Sequence, residues 1–398
     1  WQRALECSGR SRELARAIGD RRSEAIALEN LALAQMNRGE AAPFRASLRA
    51  FVAREIAPHV NDWDEEGTFP RELYRRIAEL GVIGIGYPEE LGGTPADIFH
   101  RIIVSEELAR AGCGGVAASL HSYSIALPPI LAHGSDELKR RVIPPVLAGE
   151  RIAALAITEP GGGSDVAALK TTAVRDGDHY VVNGEKVFIT SGMRADVLTV
   201  AVRTDPARGG AHGISALVIE APTPGLTRTG LKKMGWWASD TAHLRFENCR
   251  VPAANLVGVE NQGFRVFMNN FNSERLGMSA SACMYAQVCY EEALDWARNR
   301  VTFGAPLAQR QVIRHKLVDM AMRIEAARTF VYELAWRVQR GAGDPAALVA
   351  RTCMAKIQAT QAMQFCADQA VQILGGMGFM RGTRSERIYR EVKVMAIG

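Results

Sequence analysis

Three blocks of different hydrophobic periodicity follow one another along the chain. From Ala42 to about Ala153, apolar residues recur with the three-to-four spacing of one helical face. Between about Ala154 and Gly258 they form short β-branched runs separated by turn residues, which is typical of strands. The helical spacing returns over long segments from Gln262 onward. This order predicts an α+β protein with a helical part, an antiparallel β part and a C-terminal antiparallel helical bundle.

The first block begins with an amphipathic stretch, Phe44–Val60, whose apolar residues share one face: Leu48, Phe51, Val52, Ile56 and Val60. Further helices are predicted at Pro70–Leu80, Ala96–Ala111, Val116–His133, Ser135–Ala148, Phe264–Arg300, Ala308–Gly341 and Ala346–Leu374. Strands are predicted at Tyr180–Val182, Lys186–Thr190, Val197–Val202, Ser215–Ile219 and Leu244–Phe246. Asn183-Gly184 predicts a hairpin, because a two-residue type I′ turn needs positive φ at both positions.

The shifts in pattern predict four segments: an extra helical segment at 1–41, an N-terminal α domain at 42–153, a middle β domain at 154–258 and a C-terminal α bundle at 259–398. In the first segment, Ile18–Gly39 resembles one tetratricopeptide-type helix-turn-helix. A single copy cannot bury a repeat core, so we interpret it as an appendage or the remnant of an upstream domain. An interaction module is the alternative. Trp1 in place of Met suggests that the chain is a fragment.

Composition excludes several classes of protein. The 47% hydrophobic content argues against disorder, and the longest apolar stretches fall far short of the roughly 20 residues of a membrane span. The net charge of +5 is dispersed, which does not favour a nucleic-acid partner. Seven scattered Cys and eight His show no metal-ligand spacing and no disulfide framework. The thiols therefore predict a reduced, cytoplasmic protein, and the missing ligand spacing predicts no metal site.

One Gly-rich stretch enters the β domain. It contains Gly161-Gly162-Gly163 between Thr158 and Ser164. Backbone N–H groups of consecutive glycines can cradle a phosphate or a ring edge, and the two hydroxyls add donors. The alternative is a plain flexible turn.

Two residue pairs carry further candidate chemistry. Strand alternation places Phe188 and Thr190 on one face, where they could flank a flat ring, or form ordinary core. Glu274-Arg275 interrupts an otherwise apolar helix. Such a pair usually lies on a solvated face, but a Glu facing a cavity would have a raised pKa and suit general-base work.

Two stretches of the C-terminal block can contact a nucleotide. In Arg300–Gly304, followed by Gln311, the Arg can fork onto a phosphate and the Phe can pack on an adenosine. Gln372–Phe379 is a Gly-rich helix terminus, whose simplest interpretation is a helix C-cap followed by a turn.

Together, in this order, these stretches resemble the acyl-CoA dehydrogenase family over residues 43–398. The Thr-Glu-Pro-x-x-Gly-Ser-Asp motif is matched at every position from Ala156 to Ala168. Supporting matches lie at Lys233–Trp236, Ser239–Thr241, Phe246–Asn248, Val251-Pro252 and Arg300–Gly304.

The resemblance implies FAD held between a β-barrel-like or sandwich domain and a four-helix bundle, an acyl-CoA substrate, and an electron-transfer flavoprotein as electron acceptor. It also implies a homo-oligomer, usually a tetramer, because part of the FAD site belongs to a neighbouring subunit. The implied cofactor-binding residues are Ala156, Ile157, Thr158, Gly163, Ser164, Phe188, Thr190, Arg300, Thr302, Phe303, Gln311, Gln372, Gly375 and Gly376. The implied substrate-binding residues are Ser164, Phe271, Asn272 and Arg275.

The position of the catalytic base divides the family. Many members use a Glu in a loop that would begin just beyond Gly398, so the resemblance implies a bundle truncated at its end. Isovaleryl- and long-chain-type members instead use a Glu in the position of Glu274, and the ending Ala396-Ile397-Gly398 resembles members without the loop Glu. Glu274 is therefore the predicted base.

Three functions remain open at this point. The first is FAD-dependent α,β-dehydrogenation of an acyl-CoA thioester to the trans-2-enoyl-CoA in a bacterial cytoplasm, as in fatty acid β-oxidation. The second is an acyl-CoA oxidase or flavin monooxygenase of the same fold. The third is a non-enzymatic helical interaction protein, which only residues 1–41 favour.

Overall fold

A computed structural model describes residues 41–398, apart from the side chains of Asn269, Asn270 and Asn272. The predicted tetratricopeptide-like segment lies outside the described residues. The described chain divides into two compact units. A helical unit comprises residues 41–61, 96–114 and 275–398, and a β unit comprises residues 62–95 and 115–274. The division into the predicted domains stays a prediction.

The long elements are helical at both ends of the chain and β-stranded in its middle. The helices are α1 (Ala41–Glu55), α2 (Val60–Glu66), α3 (Glu72–Ala78), α4 (Ile98–Ala109), α5 (Gly114–Leu120), α6 (Tyr123–His133), α7 (Asp136–Leu147), α8 (Gly263–Asn299), α9 (Gln311–Arg340), α10 (Pro345–Leu374), α11 (Gly376–Phe379) and α12 (Arg384–Ile397). The strands are β1 (Ala153–Ala156), β2 (Thr172–Asp176), β3 (His179–Thr190), β4 (Val197–Arg203), β5 (Ile214–Glu220), β6 (Leu226–Gly230), β7 (Thr241–Pro252), β8 (Leu256–Val257), β9 (Val301–Thr302) and β10 (Ala305–Pro306).

In the helical unit, α1 packs on α4, and α10 packs on both α9 and α12. The predicted apolar face of the first helix is confirmed, since all five of its residues are buried. The helix nevertheless ends at Glu55, and a 3-10 turn at Ala57–His59 follows. Pro58 explains the interruption, because proline has no N–H for a helical hydrogen bond and disfavours helix in the residue before it. Within residues 41–398, no helix is long and apolar enough to span a bilayer.

The prediction of one helix over Val116–His133 was wrong. The chain forms α5 and α6, which are separated at His121-Ser122. Two tight i→i+3 hydrogen bonds lie at the junction, from Ser122 N–H to Ser119 C=O and from Ser124 N–H to His121 C=O. They replace the i→i+4 pattern that would have continued the helix.

The β unit is built on an eight-stranded sheet in the order β6-β7-β3-β2-β4-β5-β8, with β1 paired to β4. Most neighbours are antiparallel, as predicted, whereas β1 runs parallel to β4 in register from Ala153 opposite Val197 to Ala156 opposite Val200. The side chains of one face form a core that includes Tyr180, Leu198 and Phe246. Strand β1 therefore ends beside the centre of the sheet and delivers the Gly-rich stretch there.

The predicted hairpin at Asn183-Gly184 was also wrong. Both residues lie inside β3, where the pairing with β7 shifts register between Val182 and Gly184. Gly184 has a φ of +138°, and a Cβ there would come within 2.7 Å of the Thr171 backbone. The glycine is thus needed for a β-bulge and a close chain approach rather than for a turn.

Candidate functional site

Two of the predicted stretches meet in the β unit. Val187 N–H donates to the Thr158 carbonyl at 2.9 Å, and Lys186 Nζ donates to the Ile157 carbonyl at 2.9 Å. These bonds join the segment after β1 to the C-terminal part of β3. Ile157 is buried and Thr158 is partly exposed, so the joined edge reaches the protein surface at Thr158.

Phe188 protrudes from this edge. The pairing of β3 with β7 shifts register a second time between Lys186 and Ile189, and the bulge gives Phe188 a φ of +62°. Its side chain is 68% exposed, whereas Ile189 is buried and Thr190 is partly buried. A bulky residue at positive φ is strained, and such strain is concentrated at functional sites. The bulge also interrupts the regular alternation from which Phe188 and Thr190 were placed on one face.

The Gly-rich stretch is open to solvent. Gly161, Gly162, Gly163 and Ser164 are all exposed. A Cβ on Gly161 would meet nothing within 4 Å, and one on Gly162 would meet only the Asp165 carbonyl, at 4.0 Å. A Cβ on Gly163 would lie 3.2 Å from the Thr158 methyl group. The backbone here is thus accessible to a bound group, directly beside Thr158.

A buried ion pair that sequence reasoning missed lies behind this edge. Lys186 is fully buried, and its Nζ is 2.7 Å from Oε1 of Glu159, which is itself buried. Burial lowers the pKa of Lys186 to about 8, although Glu159 opposes the shift. Burial raises the pKa of Glu159, but the charge and hydrogen bond of Lys186, together with the hydrogen bonds from Thr171 and Lys170, outweigh burial and lower the net pKa. The pattern contained a signal, because Lys186 shares the buried face of β3 with Tyr180 and Val182, where a lysine needs an acidic partner.

In the helical unit, the predicted Arg300–Gly304 stretch forms a hairpin. Ala305 pairs with Thr302, and the two residues of the turn both have positive φ, +51° at Phe303 and +76° at Gly304. This is the geometry of a type I′ turn. Arg310 fixes it by donating to the Thr302 and Phe303 carbonyls at 3.0 and 3.3 Å. The turn presents the Phe303 side chain, which is 98% exposed.

The other predicted cofactor residues of this unit lie at helix ends. Gln311 is exposed at the first position of α9, and Gln372 is exposed in the last turn of α10. Gly375 ends α10 with a φ of +63°, which confirms the predicted C-cap. A Cβ on Gly375 or Gly376 would meet nothing within 4 Å.

The predicted base and its neighbours lie on α8. Phe271, Glu274 and Arg275 are all partly buried, and the Arg275 carbonyl accepts a hydrogen bond of 2.7 Å from Ser279 Oγ. The side chain of Asn272 lies outside the described residues. Glu274 is therefore neither sealed in the interior nor part of a fully solvated face.

Comparison with known proteins assigns the chain to a protein family. Family models match the acyl-CoA dehydrogenase N-terminal domain at residues 39–150, the middle domain at 154–249 and the C-terminal domain at 261–398. An acyl-CoA dehydrogenase of Bacillus subtilis (strain 168) is 41% identical over 358 residues, covering 89% of this chain and 92% of the relative. The chain belongs to the acyl-CoA dehydrogenase family. Members of this family are FAD enzymes.

Two further comparisons within the acyl-CoA dehydrogenase family agree. The short-chain specific mitochondrial enzyme of Rattus norvegicus is 39% identical over 357 residues, with 89% of this chain and 85% of the relative covered. The solved acyl-CoA dehydrogenase of Geobacillus kaustophilus has a TM-score of 0.86 and 38% identity, with 90% of this chain and 94% of that chain covered. The fold class expected from the sequence is thereby confirmed.

The residues of the β unit fit a flavin. The flat ring of FAD needs an apolar surface and backbone donors, and the phosphates of FAD need an open approach. Phe188 supplies an exposed aromatic surface. The segment around Thr158 supplies backbone groups next to the accessible glycines Gly161–Gly163. Among the predicted cofactor residues, the structure thus brings Ile157 and Thr158 next to the strand segment that carries Phe188 and Thr190, and their contact with FAD stays a prediction.

Proposed function

We propose that this protein oxidises an acyl-CoA thioester to the trans-2-enoyl-CoA with FAD as its cofactor and an electron-transfer flavoprotein as its electron acceptor. The observation that carries the proposal is the hydrogen-bonded junction between Thr158 and Val187, which joins the two predicted flavin-contacting segments next to an exposed Phe188. Membership of the acyl-CoA dehydrogenase family supports it.

Each residue has a proposed role that the resemblance implies and that its chemistry allows. Glu274 removes the proton from the α carbon of the thioester onto its carboxylate. FAD, when bound, supplies the acceptor for the hydride from the β carbon. Ala156, Ile157, Thr158 and Thr190 orient the ring through backbone and hydroxyl groups, and Phe188 excludes water from its face. Arg275 holds the charged part of CoA, together with Phe271, Asn272 and Ser164.

The test is a direct assay. The purified protein should carry FAD, bleach on addition of an acyl-CoA under anaerobic conditions, and recover its absorbance when an electron-transfer flavoprotein is added. Rapid recovery by oxygen alone would favour an acyl-CoA oxidase or flavin monooxygenase. A protein that binds no flavin would contradict the proposal and favour the non-enzymatic alternative.

The substrate series should start with short acyl chains. Short-chain specific enzymes are among the relatives of this chain. A screen across straight and branched acyl-CoA thioesters of increasing length therefore gives the most direct measurement of specificity, as kcat/KM for each thioester.

The first mutational prediction concerns the glycine run. In Gly163→Val the added methyl groups press on Thr158 and occupy the open approach, so we expect FAD to bind about tenfold more weakly or worse. Titration of apoprotein with FAD, followed by flavin fluorescence, measures the effect. Gly209→Val is the control, because Gly209 is an exposed glycine of the same unit with nothing within 4 Å of its Cβ position. Equal affinity of the two variants would remove the glycine run from the site.

The protein is further proposed to work as a homotetramer, in which the Phe303 hairpin reaches the FAD of a neighbouring subunit together with Arg300, Thr302, Gln311, Gln372, Gly375 and Gly376. Exposed apolar side chains support an interface on the helical unit. Besides Phe303, they include Val312, Met322, Met354, Ile357 and Phe379. Aromatic residues and Met are enriched in the buried cores of protein–protein interfaces.

A second prediction separates assembly from folding. Phe303→Gly relieves the strain of a bulky residue at positive φ, while glycine adds entropy to the unfolded chain. We expect the free energy of unfolding of the monomer to stay constant or rise by up to about 1 kcal/mol. The variant tetramer should dissociate at a higher protein concentration than the wild type and retain less FAD. Analytical ultracentrifugation and flavin content measure the two effects.

Phe303→Ala is the matched variant, since it removes the ring but keeps a Cβ at positive φ. It should lose assembly equally without any gain in stability. Two variants that remain tetrameric with full flavin content would contradict the role of the hairpin.

A further inference from the structure

The buried Lys186–Glu159 pair is fastened to backbone at both ends. Lys186 Nζ donates to Oε1 of Glu159 at 2.7 Å and to the Ile157 carbonyl at 2.9 Å. The Glu159 carboxylate also accepts the backbone N–H groups of Lys170, at 2.6 Å, and Thr171, at 2.9 Å. The pair therefore connects β3, the segment after β1 and the chain that leads into β2.

The contact with Ile157 has a geometric consequence. In a trans peptide the C=O of one residue and the N–H of the next point in opposite directions. Since the Ile157 C=O points to Lys186, the N–H of Thr158 points away from it. The following peptide is fixed as well, because the Thr158 C=O accepts from Val187 N–H. Two successive peptide planes are thus held in one orientation.

We propose that Lys186 and Glu159 are positioning residues of the flavin site, which aim the Thr158 N–H at the pyrimidine edge of the ring by holding the peptide plane from behind. This inference rests on the proposed function, in which Thr158 contacts FAD. The pair touches neither the cofactor nor the substrate in this proposal, and it acts through the backbone of Ile157 and Thr158.

Stability alone does not account for the pair. A buried ion pair contributes little net stability, because desolvation offsets the attraction, and apolar side chains of similar volume hold a strand equally well. A preorganised hydrogen-bond donor affects the cofactor rather than the stability of the fold. The pyrimidine edge of a flavin gains negative charge on reduction, and a fixed N–H at that position favours the reduced form. Removing the pair should therefore weaken FAD binding and make the flavin midpoint potential more negative.

Three variants test this proposal: Lys186→Met, Glu159→Gln and the double variant. Each single variant leaves one buried charge without the opposite charge, so both variants should unfold more readily than the wild type. The double variant leaves no buried charge and should recover much of that loss. It still lacks the donor to the Ile157 carbonyl. We expect its FAD dissociation constant to be about tenfold or more above the wild-type value, with a more negative midpoint potential.

Lys170→Met and Glu185→Gln are the matched controls. Lys170 is exposed and keeps its backbone N–H in the variant, and Glu185 is an exposed acid on the same strand as Lys186. Both should bind FAD as the wild type does. The measurements are fluorescence titration of apoprotein, the flavin potential and the unfolding midpoint of each apoprotein.

The outcomes decide between positioning and structure. A folded double variant with wild-type affinity and potential would overturn the proposal, and so would a double variant that fails to fold, because the pair would then be a requirement of the β unit. Wild-type protein that binds no FAD would instead contradict the proposed function, so the two failures are distinguishable.

Discussion

Glu274→Gln is expected to lower kcat for acyl-CoA oxidation by about three orders of magnitude, within the 10²–10⁴-fold range of general acid–base catalysis. The amide keeps the size of the side chain but cannot accept the α proton. FAD content and substrate affinity should change little, because the variant removes only a proton acceptor. The measurement is single-turnover bleaching of the flavin by acyl-CoA, together with equilibrium binding of the thioester.

Asp295→Asn is the matched control for that variant. Asp295 is an exposed acid on the same helix, α8, and its carboxylate accepts a hydrogen bond only from the neighbouring Asn299 among the bonds that the structure shows. Its bleaching rate should equal that of the wild type. Bleaching of Glu274→Gln at the wild-type rate would contradict the proposal and show that another group is the base.

The second large effect concerns stability. Glu107→Ala should lower the free energy of unfolding by about 3–5 kcal/mol, the usual cost of breaking a buried ion pair from one side. Glu107 is fully buried and accepts from Arg45 Nη1 at 2.8 Å and from Arg49 Nε and Nη2 at 2.9 and 2.8 Å. Arg49 is half-exposed and can turn to water, and Arg45 keeps its ion pair with Glu106 at 2.6 Å, so we expect the lower end of that range. Denaturant titration of the two proteins measures the difference.

The effect of Glu107 should depend on pH. Burial alone would raise the pKa of Glu107, but hydrogen bonds and charge from Arg49 and Arg45 hold it below its ordinary value of 4.5. A carboxylate with a lowered pKa stabilises the folded state above its unfolded pKa and loses that contribution as the pH falls through its folded pKa. The difference between wild type and Glu107→Ala should thus be complete at pH 7 and shrink below about pH 4.5.

Arg250→Ala provides the control for stability. Arg250 pairs with Asp176 at 2.6 Å, and the two side chains are 54% and 60% exposed. An exposed pair contributes about 0–1 kcal/mol at most. Equal losses for Glu107→Ala and Arg250→Ala would show that burial of the carboxylate does not carry the effect.

Periodicity predicted the elements whose pattern is local. The apolar face of α1, the long helices α8, α9 and α10, and the C-cap at Gly375 follow from spacing and residue type within one segment. The predicted hairpin failed because it depended on a distant part of the chain, whereas the break between α5 and α6 lies in local hydrogen bonds at His121-Ser122. Asn183-Gly184 has the composition of a turn, but Thr171 passes against Gly184 and β7 pairs across it, so the dipeptide became a bulge.

The candidate site divides in the same way. The order of the motifs from Thr158 to Gly376 was sufficient to propose the family, the cofactor and the residues that contact the cofactor. Each of these motifs consists of neighbouring residues in the sequence. The positive φ of Phe188, the exposure of Phe303 at a two-residue turn and the Lys186–Glu159 pair came only from the tertiary structure. Each depends on which strand or loop lies opposite.

The sequence by itself thus determined the helical and β blocks of this protein and the chemistry available to its proposed flavin and thioester sites. Only the tertiary structure decided where two strands shift register and which buried charge meets which carbonyl. The physical reason is that helical periodicity and motif chemistry are properties of neighbouring residues. Bulges, peptide orientation and the partners of buried charges are fixed by contacts between residues such as Ile157 and Lys186, which are far apart along the chain.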